Sequence, residues 1–261
     1  MIDGHVHLEN GPLTVDYVME FIESAMAHGI DDLYILDHTH RFAEFAPLYE
    51  GLIAASDYQA QWMKPKLKEP IENYYKLIRE LRCRKLPIKV RFGLEVCYTE
   101  GKEDFLREIL GQFDYDYLIG SVHSVHGLLY DMDAFSRKIL WDKFPVDDIY
   151  RWYYDAVKNL IKSDLFTNVG HPDQIKIFGY EPTYDLADTY REIAALAKAH
   201  HIKVETNTGC HYRYHHPDIG TNEQFLQILK DAGVSLITSS DAHYPKDVGQ
   251  FISEAAKRAG I

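Results

Sequence analysis

The feature that most constrains this chain is a repeated ending: one apolar run after another closes on a histidine or an acid. The first is Ile2-Asp3-Gly4-His5-Val6-His7. On a strand, His5 and His7 face the same way, roughly 6–7 Å apart along the chain, within reach of one cation. Later runs behave alike. Leu33-Tyr34-Ile35-Leu36 leads into Asp37-His38, and Ile88 to Leu94 leads into Glu95. The runs that follow end at His123, at His171, at Asn207 and at Asp241, with His243 two residues beyond.

Between these runs lie helical patterns. Thr14 is a fair N-cap, Val15, Val18, Met19, Ile22 and Met26 fall at helical spacing, and Gly29 is a stop. Similar patterns predict helices over about 71–85, around Phe105 to Leu110, over 146–162, 184–199 and 222–232, and past Gly249. Seven strands alternating with helices predict parallel βα units in a single domain over 1–261. The polar strand ends select the architecture. In a (β/α) barrel all the strand C-termini converge on one mouth, whereas in an open doubly wound sheet so many of them do not meet. The expectation is an α/β chain forming a seven-stranded (β/α)7 barrel of TIM-barrel type. Residues 39–70 and 124–145 are too long for plain βα loops and are expected to be covering lid insertions.

The formal net charge of −12 argues against a sequence-independent grip on a nucleic-acid backbone. No apolar run approaches bilayer length, and no signal-like segment opens the chain. Cys83, Cys97 and Cys210 lack Cys-x-x-Cys spacing and read as buried thiols of a cytoplasmic protein. Neither a nucleic-acid nor a membrane partner is expected, and nothing in the sequence fixes the oligomeric state. The 14 histidines are the anomaly, and they form no single tract. Imidazole and carboxylate without converging thiolates suit zinc, manganese or iron. Glu95, in the middle of the strand order, is placed to bridge two ions. Such a pair, roughly 3.5–4 Å apart, lowers the pKa of a shared water and polarises a phosphoryl oxygen. Taken singly, Glu95 also reads as a rim salt bridge, His123 as a core histidine and Asp241 as a helix cap.

The ordered motifs Asp3-Gly4-His5-Val6-His7, Asp37-His38, Gly93-Leu94-Glu95, Gly120-Ser121-Val122-His123, Gly170-His171-Pro172, Glu205-Thr206-Asn207-Thr208 and Ser240-Asp241-Ala242-His243 run through nearly the whole chain. Together they resemble the polymerase-and-histidinol-phosphatase (PHP) superfamily, and within it the histidinol-phosphatase-like phosphoesterases. The resemblance implies a distorted seven-stranded barrel with two or three divalent metal ions hydrolysing phosphate esters. It implies that His5, His7, Glu95 and Asp241 hold one ion, and that Glu95 bridges to a second held by His123 and His171. His38 and His243 would help hold a third or face the phosphate. Relatives with three metals usually carry another histidine soon after the first pair. Here that stretch reads Leu8-Glu9-Asn10-Gly11-Pro12-Leu13, so Glu9 is either a substitute oxygen donor or an exposed loop acid.

The resemblance extends to the substrate side. Arg213 resembles the arginine that holds phosphate, a task suited to its planar fork, and otherwise reads as a loop charge. Glu205 and Asn207 would order ligands or bind a substrate amine. The implied reaction is in-line attack by a metal-bridging hydroxide, with His38 or His243, where free of metal, protonating the leaving alkoxide. The implied substrate is a small phosphorylated molecule, L-histidinol phosphate of histidine biosynthesis. The rivals are phosphotyrosine, a nucleotide or a phosphodiester, and a non-catalytic metal-binding regulator. Of the remaining histidines, His40, His126, His211, His215 and His216 are expected to be bystanders or lid contacts. His28, His200 and His201, at helix ends, are expected to lie far from the mouth.

Overall fold

Seven parallel strands form the centre of the computed structural model, which describes residues 1–261. The first half of the chain runs β1 (Ile2–His7), α1 (Val15–Ala27), β2 (Asp32–Leu36), α2 (Ala46–Ala55), α3 (Asp57–Met63), α4 (Ile71–Arg82) and β3 (Lys89–Cys97). Next come α5 (Glu103–Leu110), β4 (Tyr117–Ser121), the short strands β5 (Ser124–Val125) and β6 (Leu128–Leu129), and α6 (Val146–Lys162). The chain continues through β7 (Asn168–Val169), α7 (Ala187–Ala199), β8 (Lys203–Asn207), α8 (Gly209–Tyr214), α9 (Glu223–Asp231), β9 (Leu236–Ser239) and α10 (Ile252–Ala259).

The sheet order β1-β2-β3-β4-β7-β8-β9 follows the chain, as a barrel of βα units requires. Residues just past β9 bring its ends together. Val6 pairs in parallel with Ala242, the His7 amide donates to the Ala242 carbonyl at 2.7 Å, and the Asp241 amide donates to the His5 carbonyl at 2.8 Å. Buried Asp3 holds the same seam, accepting from the Ser240 amide and hydroxyl and from the Gly249 amide. The seam therefore fixes His5, His7 and Asp241 against one another.

The main core lies between strands and helices and includes Val6, Leu33, Ile35, Leu94, Val96 and Val204. Tyr34, Leu36, Tyr117, Ile119 and Ile237 form a separate cluster beneath the mouth. Strands buried on both faces explain why the runs are continuously apolar and do not alternate.

Residues 39–70 carry 3-10 turns, α2 and α3; residues 124–145 carry the β5–β6 hairpin and a π-turn at Arg137–Trp141. Fully buried Gln59 joins the two segments. Its Oε1 accepts from the Leu129 amide at 2.7 Å, while its Nε2 donates to the Gly127 and Leu52 carbonyls. Gln59→Leu leaves these backbone groups unpaired and should lower stability by about 2–3 kcal/mol, read as a lower midpoint in urea unfolding. An unchanged midpoint would mean that water replaces the amide.

The structure departs from the sequence reading in several places. β7 has only two residues, α7 starts at Ala187, and α8 occupies a stretch read as loop. Cys97 and Cys210 are buried, but Cys83 caps the exposed end of α4 and is itself exposed. No helix is long and apolar enough to cross a membrane.

Candidate metal centre

The sequence-flagged donors gather at the C-terminal mouth. His7 ends β1, and Glu95 sits two residues before the end of β3. His38, His123, His171 and Asp241 each lie two residues beyond β2, β4, β7 and β9 respectively. Asp241 (φ 58°) and His171 (φ 24°) both adopt left-handed backbone, a strain of about 1–3 kcal/mol each that the surrounding bonds must offset. The bonds to their amides do this locally: Asp241 N–H donates to the His5 carbonyl, and His171 N–H to Glu205 Oε2.

Four donor atoms face one point: His5 Nε2, His7 Nε2, Asp241 Oδ1 and Glu95 Oε2. The two imidazole nitrogens are 2.9 Å apart, and Asp241 Oδ1 lies 3.1 Å from His7 and 3.8 Å from His5. Glu95 Oε2 is 3.4 Å from each imidazole. A tetrahedral ion with bonds of about 2.0–2.1 Å requires donor–donor edges of roughly 3.3–3.4 Å, so this set fits a divalent cation. Orphaned atoms agree. Glu95 Oε2 lies 2.7 Å from His38 Nδ1, yet at angles that give it no hydrogen bond to any of its neighbours.

A second set uses the other oxygen of the same carboxylate, with Glu95 Oε1 3.1 Å from His123 Nε2 and 2.8 Å from His171 Nε2. A looser third set joins His38 Nε2, His243 Nε2 and Glu9 Oε2, with separations of 3.3, 3.4 and 3.9 Å. Glu9 is therefore no exposed loop acid. Its Oε1 meets His40 Nε2 and Lys66 Nζ, and Arg41 secures its loop by donating to the Leu8 and Gly11 carbonyls.

The charges match this geometry. Burial opposes a charge on Glu95, yet His38, His5 and His123 hold its carboxyl well below the usual range. Burial likewise opposes a proton on His5, but Glu205, Glu95 and Asp241 raise its pKa. Burial and the Arg213 charge bring His243 down to about 4, leaving a neutral ring at pH 7.

On the substrate side, Glu205 and Asn207 take the ordering alternative and Arg213 reaches the cavity. Glu205 is fully buried behind His5, with its oxygens 2.9 and 3.1 Å from His5 Nδ1. Asn207 donates to Glu205 and accepts from the Gly209 amide. Neither lines the cavity, so neither is placed to meet a substrate amine. Arg213 does line it, but its Nη2 is bound to Asp241 Oδ2 at 2.5 Å and its Nη1 lies 2.9 Å from His243 Nδ1. Glycine at 209 makes room for this arrangement, since a Cβ there would stand 2.7 Å from the guanidinium.

The mouth opens into a cavity of about 310 Å³. The two insertions supply lining that the sequence reading had not singled out: Tyr49, Trp62 and Lys66 from one, Leu129, Asp131 and Met132 from the other. His40, expected to be a bystander or a lid contact, also lines it. His126 packs at a tilt against Trp152, His211 packs edge-on against Phe251, and His215 and His216 are not among the cavity's lining. His28 caps α1 and His200 caps α7, away from the mouth.

The parallel barrel gathers imidazoles and carboxylates at its mouth around points that fit a divalent cation. The PHP domain model matches residues 3–209, and the chain belongs to that family. A relative from Deinococcus radiodurans named "probable histidinol-phosphatase" is 27% identical, covering 98% of this chain and 92% of its own. A histidinol-phosphatase candidate from Listeria monocytogenes superposes with a TM-score of 0.76 at 20% identity, over 97% of this chain and 99% of that one. The histidinol phosphate phosphatase of Lactococcus lactis, solved with zinc, L-histidinol and phosphate, gives 0.73 at 16% identity, over 99% and 92%. These likenesses match the seven-stranded barrel observed here.

Proposed function

We propose that this protein is a phosphomonoesterase acting on L-histidinol phosphate and holding at least two divalent ions. The observation that carries the reading is Glu95, whose two oxygens face separate donor sets next to a cavity lined by His123, His171 and Asp241. His5, His7, Asp241 and Glu95 would hold one ion, and Glu95, His123 and His171 the other. Such ions supply Lewis acidity toward phosphoryl oxygens and an activated water nucleophile.

The protein's own residues do the rest. Arg213, at the cavity wall, would grip the phosphate with whatever part of its fork Asp241 leaves free. His38, its Nε2 3.4 Å from that of His243 beside Glu9, is placed to deliver a proton to the leaving oxygen. The insertions would act as the lid that excludes water and selects the alcohol. Acidic Glu9, with the rings of Trp62 and Tyr214, suits a leaving group carrying an ammonium and an aromatic ring. The Deinococcus name and the Lactococcus ligands support the same choice.

The test is turnover of histidinol phosphate beside phosphotyrosine, a nucleoside monophosphate and a diester, with metal analysis of the same protein. Histidinol phosphate should have the highest kcat/KM. Chelation should abolish turnover, zinc or manganese should restore it, and two or more ions should be found per chain. Preference for another ester, or a single ion after reconstitution, would refute the reading.

A further inference from the structure

Two imidazoles of the centre rest on carboxylates that are not themselves part of a donor set. His5 Nδ1 faces Glu205, and His123 Nδ1 lies 2.9 Å from Asp131 Oδ2. By contrast, the Nδ1 atoms of His7 and His171 have no hydrogen-bond partner. The braces fall one to each set: His5 belongs to the set with His7 and Asp241, His123 to the set with His171. A carboxylate that accepts a hydrogen bond from Nδ1–H leaves the lone pair on Nε2 and fixes the plane of the ring.

We infer that Asp131 is a positioning residue that fixes the tautomer and orientation of His123, and that the hairpin between β5 and β6 exists to deliver it. The inference rests on the proposed two-ion reading. The hairpin turns through His126 and Gly127, both with positive φ, which is the two-residue turn that matches strand twist. It returns the chain so that the Tyr130 amide donates to the His123 carbonyl and the Tyr130 hydroxyl donates to the Val122 carbonyl. Trp141 Nε1 donates to the Tyr130 carbonyl, and Ser136 Oγ accepts from the Met132 amide. Asp131 is thus clamped on both sides, with Oδ2 on His123. No lysine or arginine pairs with it, unlike Glu9, which has Lys66, and Asp241, which has Arg213. Its charge is therefore directed at one imidazole.

Gln59 completes the device. Its amide occupies the Gly127 carbonyl and the Leu129 amide, so the other insertion holds the hairpin in register. The order of insertion 39–70 is thereby tied to the aim of a metal ligand in a different βα unit.

The test is zinc affinity, not turnover. Chelator-stripped full-length protein is titrated with zinc against a chromophoric competitor. In D131A one of the two dissociation constants should rise by about 10–100-fold while the other holds. D131N, whose amide oxygen still accepts a hydrogen bond from Nδ1–H, should recover most of that loss. Q59L should weaken the same ion by a smaller factor, because it loosens the hairpin without touching a donor. Where D131A does not fold, D131N and Q59L must still show the selective, graded loss. Unchanged constants in D131A, or equal weakening of both ions in every variant, would overturn the inference while the two-ion reading stands. Wild-type protein that binds no zinc would overturn both.

Discussion

Glu95→Gln should reduce turnover by at least ~10³-fold while leaving the barrel folded. The carboxylate is the one group shared by the two closely spaced donor sets, with Oε2 toward His5 and His7 and Oε1 toward His123 and His171. Glutamine has the same shape but no charge, and its nitrogen would turn a donor toward atoms that already need a cation. Loss of charge stabilisation worth several kcal/mol corresponds to three or more decades in rate. Both ions should weaken together, in contrast to the selective loss expected for Asp131 variants. Circular dichroism should match wild type, because the seam that closes the barrel runs through Asp3, Ser240 and the backbone around His5, not through Glu95. A variant with wild-type turnover, or with one ion lost and one intact, would show that Glu95 bridges nothing.

The barrel was legible because its signal is local: each strand is a short apolar run, and each run ends near a residue that has no reason to be buried without a partner. His7, Glu95 and Asp241 stand at such ends, and the structure brings their side chains within a few ångströms. What could not be read comes from contacts between segments without periodicity. Lys66, Trp62 and Asp131 lie in the insertions, where neither a 2.0 nor a 3.6 repeat indicates which side chain turns inward. Asp131 looks like any loop acid until the hairpin folds it back on His123. Gln59, in a short helix, gives no hint that its amide substitutes for a strand partner. β7 is shorter than the run that leads to His171: the ladder to both neighbours pairs only Asn168 and Val169. Helix α8 escaped notice because its Gly-Cys-His-Tyr-Arg-Tyr sequence has no apolar stripe, yet that helix turns Arg213 back over Asp241.

That turn sharpens the expectation for Arg213→Ala. A guanidinium that meets Asp241 on one side and the cavity on the other does two things: it occupies the Asp241 oxygen that faces away from His5 and His7, and it presents positive charge to an anionic substrate. Its removal has opposing effects on metal binding. The carboxylate loses a hydrogen bond that orients it, but it also loses a cation that competes for its charge. These changes offset, so the ion count at saturating zinc should hold. Nothing offsets the loss on the substrate side. A charge-assisted contact is worth roughly 1.5–3 kcal/mol, so kcat/KM should fall on the order of tenfold to a few hundredfold, with KM raised. Arg213→Lys keeps the charge but cannot span Asp241, His243 and a phosphate oxygen from one planar group, so it should restore only part of the loss. Steady-state kinetics on both variants, with metal analysis of the same samples, separates the two roles. If Arg213→Ala loses an ion, or keeps its kcat/KM, then the arginine serves Asp241 alone and the phosphate grip must be sought elsewhere on the wall, with Lys66 the next cation in line.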